Sequence, residues 1–392
     1  MTQIGAGERA AMRSLLGSVN ESLGAPLAPA WESAFWAVPR HAFLPETVWV
    51  GDDLAECSRD LAPASWLRHA YADTAVVTQV NDGQEAEPGE RWASCSASAP
   101  SIVFRMLDML DTAAGHNVLE IGAGTGWNAG LLAYRLGPER VTTVDVDPAL
   151  AAHAGDRLRS VGLAPKGICG DGAFGCEAGG LYDRVIATCS VRSIPPAWIR
   201  QTKPGGVILA PWESPWFCYG LLRLTVDGYG AASGSFFPHS AFMLMRGQRT
   251  DLRIYRDVVR EEHMPIESRT RLSPWAVSGD DWAAQFAIGL QLRNVWRTWH
   301  DAPDVKGVAS RLWLGTTDAM SWAAVDWDGE RSDRFTVWEH GPRRLWESVE
   351  AAHGWWRAAG RPGPERFGLT VRPDGSHMAW LDTPDRAVPD LS

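Results

Sequence analysis

Val118 to Gly130 reads VLEIGAGTGWNAG: a short, mostly apolar run, glycines at 122, 124 and 126, then residues that can start a helix. A chain written this way must turn sharply at the end of a strand, and glycine supplies the backbone angles for that turn. It also leaves no side chain between backbone and ligand. Around this stretch, short apolar runs alternate with helical ones. Strands are expected at 117–121, 141–145, 183–188 and 206–210, with a weaker one at 166–169. Helices fit 127–136, 148–160 and 195–202, with a further helix opening after Pro100. That alternation predicts an α/β core, a parallel sheet with helices on both faces.

The glycine spacing bears on the ligand. A dinucleotide site spaces its glycines G-x-G-x-x-G. Here the third glycine comes one residue early, and Trp127 stands where that pattern needs Gly or Ala. Glu120, just before the turn, would repel a pyrophosphate. A cation without phosphate suits the site better, and S-adenosylmethionine carries a sulfonium and an ammonium. The pattern E-x-G-x-G-x-G is similar to the first motif of Rossmann-like methyltransferases. Glu120, Gly122, Gly124, Gly126 and Asn128 are therefore expected at the cofactor. Asp145 ends VTTVDVDP about 20 residues beyond the turn, where an acid can accept both ribose hydroxyls, with Val146 beside it. Asp171 and Gly172, in GDG, follow the next strand, where an Asp can meet an adenine amino group. An ordinary loop explains any one signal; four in order at βα spacing favour the cofactor.

Residues 28–248 resemble the protein-L-isoaspartate O-methyltransferases. The likeness rests on VPRHAFLPE (38–46), SASAPSI (96–102), VLEIGAGTGWNAGLLA, VTTVDVDP, GDG, YDRVIATCSV and KPGGVILAP. It implies a substrate loop at Ser96, Ala97, Ser98, Ala99 and Pro100, with Ser98 as the active-site serine and Cys189 and Ser190 as further substrate contacts. A helix N-cap is the plain structural reading of Ser98. Two features depart from the repair enzymes: a longer loop before Ser98, and a tail after residue 250 that they are expected to lack. The whole chain, including GPRRLWESVEAAHGWWRAAGRPGPERFGLTVRPDG, is similar to a branch that methylates an Asp in ribosomally synthesised lanthipeptides, lasso peptides or graspetides, the ester collapsing to an aspartimide. That likeness implies a modified precursor peptide as partner and S-adenosyl-L-homocysteine as product. An isoaspartate repair enzyme with an extra domain is the alternative.

Three segments are expected: 1–100 with N-terminal helices (7–24 and 29–38) and the substrate loop, a Rossmann-like core at 101–250, and a C-terminal α+β accessory domain at 251–392 whose expected role is substrate recognition, with a rigid support domain as the alternative. Residues 50–95 read as irregular, with a polar turn at NDGQEAEPGE. LLRLTVDG and AFMLMRG read as edge strands. The tail carries twelve of the 21 tryptophans. It is expected to hold one helix from Pro342 to near Gly360, with Leu345, Val349 and Trp356 on one face, and two strands, RFGLTV and HMAWLD, joined by RPDGS. Most tryptophans should be core, and some could form a peptide-binding surface.

A net charge of −10 speaks against a general nucleic-acid partner. No apolar run approaches the roughly 18–20 residues that span a bilayer, and the N-terminus lacks a signal-peptide core. The six cysteines form no CxxC pair and the histidines show no metal-ligand spacing. A cytoplasmic protein with reduced, buried thiols and no metal is expected. No G-x-S-x-G supports serine-nucleophile chemistry.

Overall fold

The protein's structure is a computed structural model that describes residues 5–84, 91–238, 241–302, 304–329 and 333–392. The chain divides into two compact units, Met1–Cys189 with Pro195–Ala210 and Arg223–Ala231, and Ser190–Ile194 with Pro211–Leu222 and Ala232–Ser392.

The first unit opens with α1 (Ala6–Leu23) and α2 (Pro29–Ala37). Then come β1 (Thr47–Val50), β2 (Ala55–Ser58), α3 (Pro63–Ala70), β3 (Val76–Val80) and β4 (Ala93–Ala97). The four strands form a sheet in the order β2-β1-β3-β4. The expectation of irregular structure at 50–95 is corrected. AECS and ASCSA are too short and too polar to show an alternation, and they become strands by pairing with neighbours. Residues 85–90 of the expected polar turn lie outside the described residues.

From α4 (Pro100–Met109) the βα alternation unfolds as expected: β5 (Val118–Ile121), α5 (Trp127–Leu136), β6 (Val141–Asp145), α6 (Pro148–Ser160), β7 (Lys166–Cys169), β8 (Tyr182–Ala187), α7 (Pro196–Arg200) and β9 (Thr202–Glu213). The parallel order is β9-β8-β5-β6-β7. Every residue of β5 and β6 is buried. Central parallel strands are covered on both faces, which is why their sequences run apolar without alternation. Asp147 caps α6 by accepting from the backbone N–H groups of Ala149 (2.9 Å) and Leu150 (3.1 Å), with Pro148 in the first turn.

The second unit carries most of β10 (Cys218–Val226), then β11 (Ala232–Phe237), β12 (Ile266–Thr270), α8 (Pro274–Ser278), α9 (Trp282–Gln291), β13 (Val295–Asp301), β14 (Ser310–Thr316), β15 (Trp322–Trp327), β16 (Phe335–His340), α10 (Leu345–Ala358), β17 (Phe367–Val371) and β18 (His377–Leu381). A five-stranded antiparallel sheet, β12-β16-β15-β14-β13, was not legible in the sequence. Both of its faces are covered. Leu312, Leu314, Val325 and Val337 pack with Leu345 and Val349 of α10, while Trp313, Trp322 and Ala324 on the other face pack with Ile254 and Val258. Strands buried on both sides lose the polar alternation that marks a half-exposed sheet.

AFMLMRG is not a strand; Leu244 makes only an isolated bridge with Ser190. The strand is instead β11, which pairs antiparallel with β17, as β17 does with β18. That pairing draws Ala232 onward into the second unit, so the division falls earlier than the expected 250. Leu345, Val349 and Trp356 are buried on α10, as expected. Trp313, Trp322, Trp346, Trp356 and Trp380 are buried, whereas Trp275 and Trp282 are 45% and 54% exposed. None of the six cysteines is in a disulfide; Cys57, Cys95 and Cys176 are buried, but Cys169 and Cys218 are exposed, contrary to expectation. Among the described residues, no helix is long and apolar enough to cross a membrane.

Candidate active site

Gly122, Gly124 and Gly126 all hold positive φ, at 95°, 52° and 89°. Space constrains two of them as well. A Cβ at Gly122 would stand 2.8 Å from Thr188 Oγ1, and one at Gly126 3.1 Å from the Ala154 Cβ. The Thr188 hydroxyl donates to the carbonyl of Gly122 and reaches that of Ile121 (3.2 Å). The turn is thereby clamped between β5 and the end of β8, and α5 begins at Trp127 with its first N–H groups uncapped by any side chain.

Glu120 lies behind this turn rather than on its surface, being fully buried. Its carboxylate accepts from Asn128 Nδ2 at 2.7 Å and from the Thr143 hydroxyl. Burial pushes the Glu120 carboxyl up to about 7, and the two hydrogen bonds oppose that rise. Glu120 is thus set behind the turn, where it holds the side chain of Asn128, which is half-buried.

Asp145 closes β6. Its carboxylate accepts from the N–H of Gly124 (2.8 Å) and of Asp147 (3.0 Å). The same acid that sequence spacing assigns to a ribose thus also fixes the glycine turn. Val146 beside it is 44% exposed. The Gly170 N–H donates to the Asp145 carbonyl at 2.8 Å, which brings the GDG segment to the same end of the sheet. Asp171 is exposed and accepts from Ala173 N–H at 2.9 Å. Gly172 is buried, and its carbonyl accepts from Trp198 Nε1. The carboxyl ends of adjacent parallel strands are where such sheets bind ligands. A cavity of about 370 Å³ near by is lined by Ala123, Thr143, Leu158 and Ile168 but by neither Asp145 nor Ser98.

Ser96 and Ala97 end β4, and Ser98 lies between β4 and α4. The N-cap of α4 is Ala99, with no side-chain hydrogen bond, so Ser98 is not a helix cap. Its carbonyl and that of Ala97 each accept from Arg40 Nη2 at 3.0 Å. Arg40 also donates to the carbonyls of Ala70, Ala72 and Thr74. It is 1% exposed, and burial lowers its guanidinium to about 10. Sequence reasoning quoted Arg40 inside VPRHAFLPE without giving it a task. The available signal was a charged residue amid apolar ones, which needs partners if buried. Cys95 of β4 packs on the glycine turn: its Sγ would lie 3.5 Å from a Cβ at Gly124. Turn and serine loop are thus brought together.

Ser190, expected as a substrate contact, has its hydroxyl engaged within the second unit. It is buried, and its hydroxyl reaches Glu213 Oε2 (2.6 Å) and the Phe242 carbonyl (3.1 Å) within the second unit. Cys189 is half-buried.

The family model described as protein-L-isoaspartate(D-aspartate) O-methyltransferase matches residues 46–216. A protein-L-isoaspartate O-methyltransferase of Ignicoccus hospitalis is 32% identical over 167 residues, 42% of this chain and 73% of that protein. The chain belongs to the protein-L-isoaspartate O-methyltransferase family. It is an S-adenosylmethionine-dependent methyltransferase in class. A second relative of that name, from Azorhizobium caulinodans, is 35% identical over 41% of this chain and 68% of that protein. A solved protein-L-isoaspartate O-methyltransferase structure shares the fold with TM-score 0.55 at 18% identity, covering 95% of this chain and 100% of that one. Such coverage necessarily reaches past residue 250, so the expectation that enzymes of this name lack the tail is corrected.

Proposed function

We propose that the chain esterifies the free carboxylate of an aspartyl residue (the β-carboxylate) or an isoaspartyl residue (the α-carboxylate) in a peptide, at the Ser98 loop. The observation that carries this is the packing of β4 on the glycine turn, through Cys95 and Gly124. It sets the serine loop beside the backbone that would hold the cofactor.

The residues fit S-adenosylmethionine. Gly122–Gly126 form a cradle that side chains would fill, and Asp145 and Asp171 offer carboxylates at the strand ends. The methionyl end belongs at the turn, the ribose at Asp145 and Val146, and the adenine at Asp171 and Gly172. The bound cofactor supplies an electrophilic methyl group on a sulfonium. A peptide carboxylate, with a pKa near 4, is already ionised at neutral pH. It needs no general base; it needs desolvation and alignment. A neutral Ser98 hydroxyl orients the carboxylate without pairing with it as a cation would. Ser96 and Ala97 line the approach.

The finer reading is a maturation enzyme that acts on an ordinary L-Asp of a modified precursor peptide. Exposed Trp275 and Trp282 in the second unit support a peptide-recognition surface, since tryptophan dominates such contacts. Attack by the next backbone nitrogen on the ester carbonyl would then expel methanol and close an imide. Isoaspartate repair is the second reading. It is favoured by the relatives' names and by a solved structure of that name that spans nearly the whole chain. A constrained Asp peptide and a linear isoaspartyl peptide, each incubated with enzyme and cofactor and followed by mass, separate the two. Maturation predicts gain of one methyl on the constrained peptide, then loss of methanol. Turnover of the isoaspartyl peptide alone would overturn it in favour of repair.

A further inference from the structure

The pairing of β3 with β4 is irregular. Val77 faces Ser96, Gln79 faces Cys95, and Val80 faces Ala93. Thr78 is therefore an extra residue on β3, and Ser94 an extra residue on β4. Such bulges re-aim side chains and recur near active sites. This one has a cost: the Thr78 hydroxyl is buried without a hydrogen-bond partner. What it achieves is the placement of Gln79. The Ser94 hydroxyl donates to Gln79 Oε1 at 3.0 Å, and Gln79 Nε2 donates to Asp147 Oδ2 at 2.9 Å. The Asp147 N–H donates to Asp145 Oδ1 at 3.0 Å, and Asp145 Oδ2 accepts from Gly124 N–H at 2.8 Å. Both ends of one amide side chain are thus engaged. One end holds the strand that leads into Ser98. The other holds the residue whose backbone fixes the ribose acid.

We propose that Gln79 is a positioning residue that ties the serine-bearing strand β4 to Asp145, so that the substrate loop and the ribose acceptor are set as one piece. The inference rests on the reading of Asp145 as the cofactor's ribose acceptor. An amide suits the task because it donates to the carboxylate and accepts from the hydroxyl at once. Neither a carboxylate nor an apolar side chain does both at neutral pH. The bulge fixes which way the amide points.

The test is calorimetric titration of the full-length protein with S-adenosyl-L-homocysteine. Gln79→Leu should weaken binding about tenfold, the scale of a lost hydrogen bond to a charged group. Gln79→Glu sets a carboxylate against Asp147. Its affinity relative to wild type should be lower at pH 8 than at pH 5, because the Asp147 carboxylate raises the pKa of the new acid and the lower pH favours its protonated, donating form. A purely structural Gln79 would give no such pH-dependent ratio. Ser94→Ala should weaken binding in wild type but add nothing in the Gln79→Leu background, the non-additivity of a shared network. Wild-type affinity in both Gln79 variants, or a loss in Gln79→Glu that is the same at both pH values, overturns the proposal. If wild type itself fails to bind, or Asp145→Ala binds as wild type does, the ribose-site reading falls and takes the inference with it.

Discussion

At the residue scale, Glu120 and Ser98 make the sharpest demands. Glu120 is fully buried and its carboxyl is raised from 4.5 to about 7. Between those values the folded protein holds a proton that the unfolded chain has released. The contribution of this group to stability is therefore fullest below pH 4.5 and is lost as pH rises through about 7, by roughly 3 kcal/mol. Glu120→Gln should flatten that part of the stability profile in denaturant melts at pH 5, 6, 7 and 8. A variant with an undiminished slope would place the titration elsewhere. Ser98→Ala should lower single-turnover methylation by one to two orders of magnitude, about 1.5–3 kcal/mol of orienting hydrogen bond to an anion, while S-adenosyl-L-homocysteine binding stays as in wild type. Equal turnover would leave Ser98 with no part in orienting the substrate. Both residues were singled out from sequence, but their surroundings were not. Spacing marks an acid before a glycine turn; it does not say that Asn128 and Thr143 cover it, nor that Ala99 takes the cap position. Ser190 shows the same limit, because Glu213 and Phe242, its partners, lie 23 and 52 residues away.

At the scale of elements, the Ser98 loop is held by one guanidinium. Arg40 donates to five backbone carbonyls, from Ala70, Ala72, Thr74, Ala97 and Ser98. Arg40→Met fills similar space and leaves those carbonyls without their donor, each loss being worth about 1 kcal/mol or more when buried. Denaturant melts should show a loss of about 3–5 kcal/mol, and amide exchange should accelerate through residues 97–101. Stability within about 0.5 kcal/mol of wild type would show that water replaces Arg40 without cost. The central parallel strands β5, β6 and β8 and the helices between them were legible because buried apolar runs alternate there with helical ones punctuated by Pro and Gly; β7, four largely exposed residues, gave the weakest signal. The sheet β2-β1-β3-β4 was hidden because its strands are four or five residues long and rich in Ser, Thr, Cys and Gln. The place of Ser98 directly after the sheet's edge strand β4 follows from pairing that no local pattern encodes.

For the whole molecule, the division of the chain matters most. Segments 190–194 and 211–222 belong to the second unit, although the first and residues 211–216 of the other lie within the sequence that the family model matches. A cut near residue 250 would also strip β17 from β11 and uncover Phe236, now fully buried. A chain ending at 250 is expected to be insoluble or to lack a cooperative melt; a soluble fragment with wild-type Tm and KM would contradict that. The role of the second unit is then better probed on the intact chain. Trp275→Ala and Trp282→Ala remove exposed rings and should raise the peptide KM severalfold with kcat unchanged. An unchanged KM in both would move recognition away from that surface.

The chemistry proposed for the Ser98 loop is transfer of a methyl group to a carboxylate oxygen. It is tested most directly by the linkage formed. The intact protein is incubated with methyl-labelled S-adenosylmethionine and an aspartyl or isoaspartyl peptide, and the labelled peptide is then treated with mild base. A methyl ester predicts label released as volatile methanol, and no incorporation when the aspartyl carboxylate is replaced by an amide. Label that survives base, or that still enters the amide peptide, would put the methyl on nitrogen or carbon and contradict the account.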